Sequence, residues 1–321
     1  MSKNTHLEHL EDSILLDGEQ GARDAFMFLD ELARVFTGKQ KNNFKITTKW
    51  DGAPAVFCGI YPGTKKFFVG TKSVFNKVKK MICHSHEEID ILYSNKKDLA
   101  DKLHLCFDNL TRTNHIYQGD FIGVGGDDLY QPNTIGYLFP DKIHHNIIVA
   151  PHTEYLASGS TLLDTHAFPL THTLLNNSDK VLYIQCDAIG KFREFVSDRC
   201  KFAKQIATMV EFVNDKKASE IKKTINHLIR IGTKITDEAL ESISESHEID
   251  PNLMRLWKLV NSIKMDALKR CEHDGWWTTY SDIDEIDGEG YVMWNKWGIY
   301  KLVDRDEFSR LNFQSGGAWV S

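Results

Sequence analysis

Apolar positions along the chain repeat with two different periods. Between residues 19 and 37 they recur every three or four positions, which predicts an amphipathic helix. Between residues 44 and 71 the period is two, and Asp51-Gly52 interrupts it. This second pattern predicts two or three antiparallel strands joined by tight turns, with Lys49 at the end of one hairpin strand.

The remaining chain alternates between the same two patterns. Helical spacing returns over residues 85–107. Three strand-like segments follow it, at 115–124, 146–150 and 181–189. Residues 195–272 almost lack glycine and proline and predict three or four helices, the last beginning at Pro251. Strand-like runs follow Gly275, so we predict an α+β fold with an inserted helical block and a sheet that the C-terminal segment completes.

The composition is that of an ordinary globular protein. The chain has 321 residues, of which 41% are hydrophobic, enough for a sizeable core. No apolar run approaches ~20 residues, which excludes a transmembrane helix, and the polar N-terminus does not resemble a signal peptide. Six cysteines lie scattered without paired spacing, as reduced thiols do. We therefore predict a soluble, cytoplasmic protein with no membrane partner.

The net charge limits how the protein could hold nucleic acid. At −6 the chain is acidic, so contact with a polyanion would need a local basic patch. The lysines that follow Gly52 supply one candidate patch: Lys65, Lys66, Lys72, Lys77, Lys79 and Lys80. The same cluster is equally typical of a solvated charged face.

Lys49 is the candidate nucleophile. A lysine amine is protonated near neutral pH, so it attacks only where neighbouring cations, a metal ion or burial lower its pKa. Further along, Asp120 and Glu289 are carboxylates beside strand-like runs, and Lys301 lies within one. Each also has an ordinary structural interpretation, as a turn acid or as a lysine whose amine reaches solvent.

Five short motifs occur in a characteristic order. They are KWDG at 49–52, TKS at 71–73, QGDFIG at 118–123, EGYVMW at 289–294 and YKLV at 300–303. This order resembles motifs I, Ia, III, IV and V of the covalent nucleotidyltransferase superfamily, which comprises ATP-dependent polynucleotide ligases and capping enzymes. Among its branches the pattern is most similar to small phage-type RNA ligases, and motifs I and IV carry the closest match.

The resemblance implies a role for each motif residue. Lys49 would form the lysyl-nucleotide, and Asp51 and Gly52 would shape the turn around ribose and phosphate. Asp120 would contact the ribose or the metal. The other expected nucleotide contacts are Lys72 at phosphate, Glu289 at the metal and Lys301 at the α-phosphate. His152 or Tyr155 falls where the family stacks a ring on the base.

The same resemblance implies the architecture and the reactants. An ATP-grasp-like nucleotidyltransferase domain with antiparallel sheets would comprise residues 1–194 and 273–321, with 195–272 as an inserted helical module that offers a surface for a protein partner. ATP and Mg²⁺ are the expected cofactors, and the expected nucleic-acid partner is RNA rather than DNA. Only eighteen residues follow Val303, too few for a C-terminal OB-fold of ~80 residues.

Departures from the family pattern keep other functions open. Motif III ends in Asp120 where Glu is usual, and Val303 replaces the second lysine of motif V. These departures favour a non-catalytic nucleic-acid-binding accessory protein that kept the fold, whereas Lys49 and Glu289 favour an enzyme. A DNA ligase and a GTP-dependent capping-type enzyme are further alternatives, although the absence of an OB-fold disfavours both.

Overall fold

The computed structural model describes residues 7–37, 45–170, 175–184, 186–190, 197–273, 275–281, 284–305 and 307–308. These residues form a mixed α+β structure with sixteen strands and eight α-helices. Two compact units divide the chain. The first unit contains Trp50–Cys186 and Gly275–Gly288, and the second contains His6–Lys49, Asp187–Asp274 and Glu289–Ser321.

A six-stranded sheet forms the centre of the first unit. Its strands are β3 (Ala55–Ile60), β4 (Phe67–Gly70), β5 (Ile116–Val124), β8 (Ile147–Ala157), β9 (Thr165–Pro169) and β10 (Val181–Tyr183). The order is β10-β8-β5-β3-β4, and β9 also pairs with β8. Only β10 and β8 run parallel. Apolar side chains of β3, β5 and β8 form a core with helices α3 (His86–Leu92) and α4 (Lys97–Asn109).

A smaller antiparallel sheet completes the first unit. It contains β6 (Leu129–Tyr130), β7 (Gly136–Leu138), β13 (Thr278–Ser281) and β14 (Asp284–Ile286), in the order β14-β13-β7-β6. Strand β13 pairs with β7, so a late segment of the chain returns to an early one.

The second unit has a four-stranded sheet built from both ends of the chain. Its strands are β1 (Glu8–His9), β2 (Lys45–Thr48), β15 (Tyr291–Asn295) and β16 (Gly298–Leu302), in the order β1-β16-β15-β2. A hairpin of β11 (Ala188–Gly190) and β12 (Cys271–His273) lies in the same unit. The predicted completion of a sheet by the C-terminal segment is confirmed for this sheet.

Six helices share one hydrophobic core with the second unit's sheet. They are α1 (Ser13–Leu16), α2 (Gly18–Phe36), α5 (Ser197–Ala207), α6 (Asp215–Arg230), α7 (Asp237–Ser246) and α8 (Pro251–Leu268). Their apolar faces bury Ile46, Met293 and Leu302 of the sheet in one core. The helical pattern predicted for 195–272 is thus observed as four helices, and α8 begins at Pro251 with Asp250 as its N-cap. The boundary of an inserted module stays a prediction.

The predicted hairpin around Asp51-Gly52 is wrong. Strand β2 pairs with β15, whereas β3 pairs with β4 and β5. The two strands belong to different sheets because each buries its apolar side chains against a different core. The chain passes from the second unit to the first between Lys49 and Trp50.

Candidate functional site

Lys49 and Glu289 form an ion pair in the second unit. Lys49 follows β2 and Glu289 precedes β15, and these antiparallel strands place Thr48 opposite Tyr291. The ends that carry the two side chains therefore lie together. Lys49 Nζ donates to Glu289 Oε2, and the Lys49 backbone N–H donates to the Gly290 carbonyl at 2.9 Å. The side chains are 23% and 10% exposed, so the pair is largely withdrawn from water yet reachable.

Backbone conformation and close packing require glycine at position 290, directly after Glu289. Its φ is +123°, a region that side-chain-bearing residues rarely adopt, and a Cβ there would lie 2.4 Å from the Leu302 carbonyl oxygen. A side chain at this position would push β15 away from β16. The Glu-Gly pair therefore sets the position of the Glu289 carboxylate as the chain enters β15.

Lys301 belongs to the same group of charges. It lies opposite Val292 on the neighbouring strand, and Val292 in turn lies opposite Thr47. Burial lowers the pKa of Lys301 to about 8; the Lys49 charge contributes in the same direction and the Glu289 charge opposes it. Lys49, Glu289 and Lys301 thus form one electrostatically coupled set, which we call the Lys49 cluster.

Replacing Lys301 with Met should remove a pH dependence of stability. The pKa of Lys301 is about 8 in the folded chain and 10.5 ordinarily. Between these two pH values, Lys301 is protonated in the unfolded chain and neutral in the folded chain. The free energy of unfolding therefore rises with pH across that window, by about 2 kcal/mol from this group. Urea unfolding of both proteins at about pH 7 and about pH 10 measures this. Parallel changes in wild type and variant would contradict it.

Asp51 organises a loop of the first unit. Its carboxylate accepts hydrogen bonds from the Asn133 side chain (2.8 Å) and from the backbone N–H groups of Thr134 (2.8 Å) and Ile135 (3.0 Å). Its own N–H donates to the Tyr137 hydroxyl at 2.7 Å. Both carboxylate oxygens are therefore engaged, and Asp51 is only 7% exposed. This favours a positioning role over direct contact with a ribose.

Trp50 fixes the same segment from its other side. The ring is 3% exposed and lies 4.6 Å from the ring centres of both Tyr137 and Trp277. The sequence did not point to Asn133, Thr134 or Tyr137 as partners of the KWDG segment. The turn-forming residues Gln131-Pro132-Asn133 were the available signal, since asparagine often closes such loops.

Gly52, Asp120 and His152 come together in the first unit, and we call them the Asp120 cluster. A Cβ on Gly52 would lie 2.4 Å from the Asp120 Cβ, so only glycine permits this approach. The Asp120 carboxylate lies 3.8 Å from His152 Nε2, and the two side chains are 15% and 26% exposed. Tyr155 instead packs in the core with Phe57 and Phe75, which leaves His152 as the candidate ring.

Lys72 stands at the end of β4. It opens a short 3-10 helix, Lys72–Phe75, whose N-cap is Thr71. Partial desolvation lowers the pKa of Lys72. Strand β4 pairs with β3 so that Gly70 lies opposite Phe57, and β3 begins shortly after Gly52. Lys72 and the Asp120 cluster therefore share one end of the six-stranded sheet.

The described residues contain no group of three or more His, Cys, Asp or Glu side chains arranged to hold a metal ion. Magnesium in nucleotide enzymes is commonly bound through one or two carboxylates, with phosphate oxygens and water as its other ligands. Glu289, which is nearly buried, and Asp120, which is partly exposed, each have the oxygen chemistry for such a contact. Among the helices that the structure describes, none has the length and apolar character needed to cross a bilayer.

A protein-family model matches residues 4–248 and 204–316, which together span nearly the whole chain. The chain belongs to the family of unknown function DUF6267. No curated protein matches it, and no solved structure does. Membership of DUF6267 assigns no activity to the chain.

Proposed function

We propose that this DUF6267 protein is a covalent nucleotidyltransferase, an ATP-dependent polynucleotide ligase that acts on RNA ends. The observation that carries the proposal is the Lys49 cluster. The Glu289 carboxylate holds the Lys49 amine in place, and repulsion from the neighbouring Lys301 opposes the protonated form that this ion pair would otherwise favour, as an amine nucleophile needs. The order of the five motifs, from Lys49 to Lys301, supports the same conclusion.

Three residues would divide the work of the first step. Lys49 supplies the attacking amine, and Glu289 holds that amine in place through their ion pair. Repulsion between Lys49 and Lys301 favours loss of a proton from one of them, since like charges disfavour each other's charged forms. A phosphate placed beside Lys301 would in turn be neutralised by its ammonium group.

Glu289 in the second unit and Asp120 in the first each offer carboxylate oxygens, the hard ligands that Mg²⁺ prefers, and each is by itself a candidate contact for the ion. When bound, the ion would neutralise negative charge on the reacting phosphates. His152 offers a partly exposed ring on which a base could stack. Asp51 and Gly52 would hold the chain after Lys49 in a fixed path, through the loop that Asp51 pins and the close approach of Gly52 to Asp120.

The proposed reaction balances in three transfers. Lys49 Nζ gives a proton to water and attacks the α-phosphorus of ATP; a phosphorus–nitrogen bond forms as the bond from that phosphorus to the bridging oxygen breaks, and pyrophosphate leaves. A 5′-phosphate oxygen of the RNA then displaces the lysine, which transfers AMP to the strand end. A 3′-hydroxyl, whose proton passes to water, attacks that 5′-phosphate; a phosphodiester forms as the phosphoanhydride bond breaks, and AMP is released. Positioning and charge neutralisation would supply most of the rate, as in other phosphoryl transfers.

Labelling of the protein by nucleotide tests the proposal directly. We expect purified protein, freed of bound nucleotide and incubated with Mg²⁺ and ATP labelled at the α-phosphate, to give a labelled band on denaturing electrophoresis. Added pyrophosphate should discharge that label by reversing the first transfer. Labelling by GTP alone would indicate capping-type chemistry in place of a ligase. If folded protein is labelled by neither nucleotide, the proposed enzymatic activity is rejected and a nucleic-acid-binding protein is favoured.

A further inference from the structure

One segment of the chain has no acidic residue at all. From Gly52 to His86 the sequence contains six lysines and no aspartate, glutamate or arginine, although the whole chain carries a net charge of −6. The segment forms β3, β4, the 3-10 helix Lys72–Phe75 and the loop that follows it. Positive charge is therefore concentrated in one part of the first unit of an otherwise acidic protein.

The loop Asn76–Lys80, which we call the lysine loop, presents much of this charge to solvent. Lys77 and Lys79 are exposed and Lys80 is partly exposed, whereas Val78 between them is 99% exposed. None of the three lysines forms an ion pair within the part of the chain that the structure describes. Their charges are thus not compensated by neighbouring carboxylates there.

The lysine loop projects from a defined end of the six-stranded sheet. The Met81 N–H donates to the Ser73 carbonyl at 3.3 Å, which closes the loop next to the end of β4. Because Gly70 lies opposite Phe57, and Ala55 lies opposite Asp120, this is the end of the sheet that carries Asp120.

Two other lysines of the segment lie at the opposite end of the same strands. Lys65 and Lys66 are exposed in the turn between β3 and β4, next to the pair Ile60 and Phe67. They also form no ion pair among the described residues. Lys65 and Lys66 therefore provide an internal control: they carry the same charge as two lysines of the lysine loop but lie away from the Asp120 cluster.

We propose that the lysine loop binds the sugar–phosphate backbone of the polynucleotide acceptor. The inference rests on the proposed function for the identity of that acceptor. Lysine ammonium groups contact phosphates as point charges and release condensed counterions, so the contact does not depend on base sequence. The absence of arginine from the segment fits this, because bidentate reading of guanine is mainly an arginine contact. Because it contacts several backbone phosphates, the loop would favour the end of a polynucleotide over a free nucleotide as the acceptor.

The test compares two double variants of the full-length chain. Lys77→Gln with Lys79→Gln removes two charges from the lysine loop, and Lys65→Gln with Lys66→Gln removes two from the far turn. Binding of a fluorescent, 5′-phosphorylated single-stranded RNA is measured by anisotropy at several salt concentrations. We expect the loop variant to bind about 10-fold more weakly at low salt, with a salt slope reduced by about 1.4, and the turn variant to bind like wild type.

Each outcome bears on the proposal separately from the enzyme assay. Equal weakening of both double variants would overturn it, because total charge rather than the loop would then hold RNA. Wild-type affinity in the loop variant would overturn it as well, as would preference for acidic peptide or anionic vesicles over RNA. Lysyl-nucleotide labelling should be unchanged in both variants. If the wild-type protein is not labelled by nucleotide but binds RNA through the lysine loop, the enzymatic function is rejected and the RNA-binding role of the loop is retained.

Discussion

Lys49→Ala is expected to abolish the labelled protein–nucleotide band, to below about one part in a thousand of wild type, because no other amine would replace the attacking group. Lys45→Ala is the matched control. Lys45 belongs to β2, four positions before Lys49, and lies opposite Trp294 rather than beside Glu289. It should label like wild type. Labelling with ATP, Mg²⁺ and denaturing electrophoresis measures both variants.

Lys49→Arg separates a nucleophile from a structural cation. Arginine keeps the positive charge and can retain the ion pair with Glu289, so the fold should survive. Its guanidinium cannot be deprotonated in a protein, and it therefore cannot attack phosphorus. We expect normal urea unfolding and no label. A labelled Lys49→Arg protein would show that the nucleotide is attached elsewhere and would remove Lys49 from the mechanism.

Glu11→Gln is expected to destabilise the second unit by about 3–5 kcal/mol. Glu11 and Lys264 are completely buried, and Lys264 Nζ donates to Glu11 Oε1 at 2.9 Å. Arg305 also donates to Glu11, at 3.2 Å, and to Asp12, at 2.8 Å. Neutralising Glu11 leaves the Lys264 charge buried without its carboxylate. Urea unfolding gives the change in the free energy of unfolding.

A second substitution distinguishes the ion pair from general packing. Adding Lys264→Met to Glu11→Gln removes the stranded charge and should recover at least half of the loss, a coupling that a double-mutant cycle reports. Glu19→Gln is the matched surface control, because Glu19 and Arg23 are 65% and 68% exposed; it should cost less than about 0.5 kcal/mol. A Glu11→Gln effect as small as that of Glu19→Gln would contradict a buried network.

Elements that depend on local periodicity could be predicted from the sequence. The helix α2 and the four helices between Ser197 and Leu268 follow from apolar residues spaced for one helical face, and Pro251 marks the start of α8. Strand β5 (Ile116–Val124) likewise matches the strand-like run predicted at 115–124. The region 85–107 contains two helices, α3 and α4, separated by a turn around Tyr93–Lys96, which apolar spacing alone does not reveal.

The local sequence pattern could not predict which strands pair with each other or which charged side chains meet. Residues 181–189 were expected as one strand-like segment, yet β10 joins the six-stranded sheet and β11 pairs with β12. Asp51 was expected to shape a turn around ribose and phosphate, which stays a prediction, but the sequence did not show that its carboxylate accepts three hydrogen bonds from residues 133–135. The charges of Glu11 and Lys264 meet across more than 250 positions of sequence.

The sequence by itself determined the helical regions and the acid-free segment, since each is a property of neighbouring positions, and the resemblance of its motif order indicated Lys49 as the candidate nucleophile. The tertiary structure decided that Lys49 meets Glu289, that Asp51 pins a loop, and that β2 and β3 belong to different sheets. Helical periodicity arises from backbone geometry within a few residues. Strand partners and ion pairs depend on which distant segments share a core, and only the folded chain brings those together.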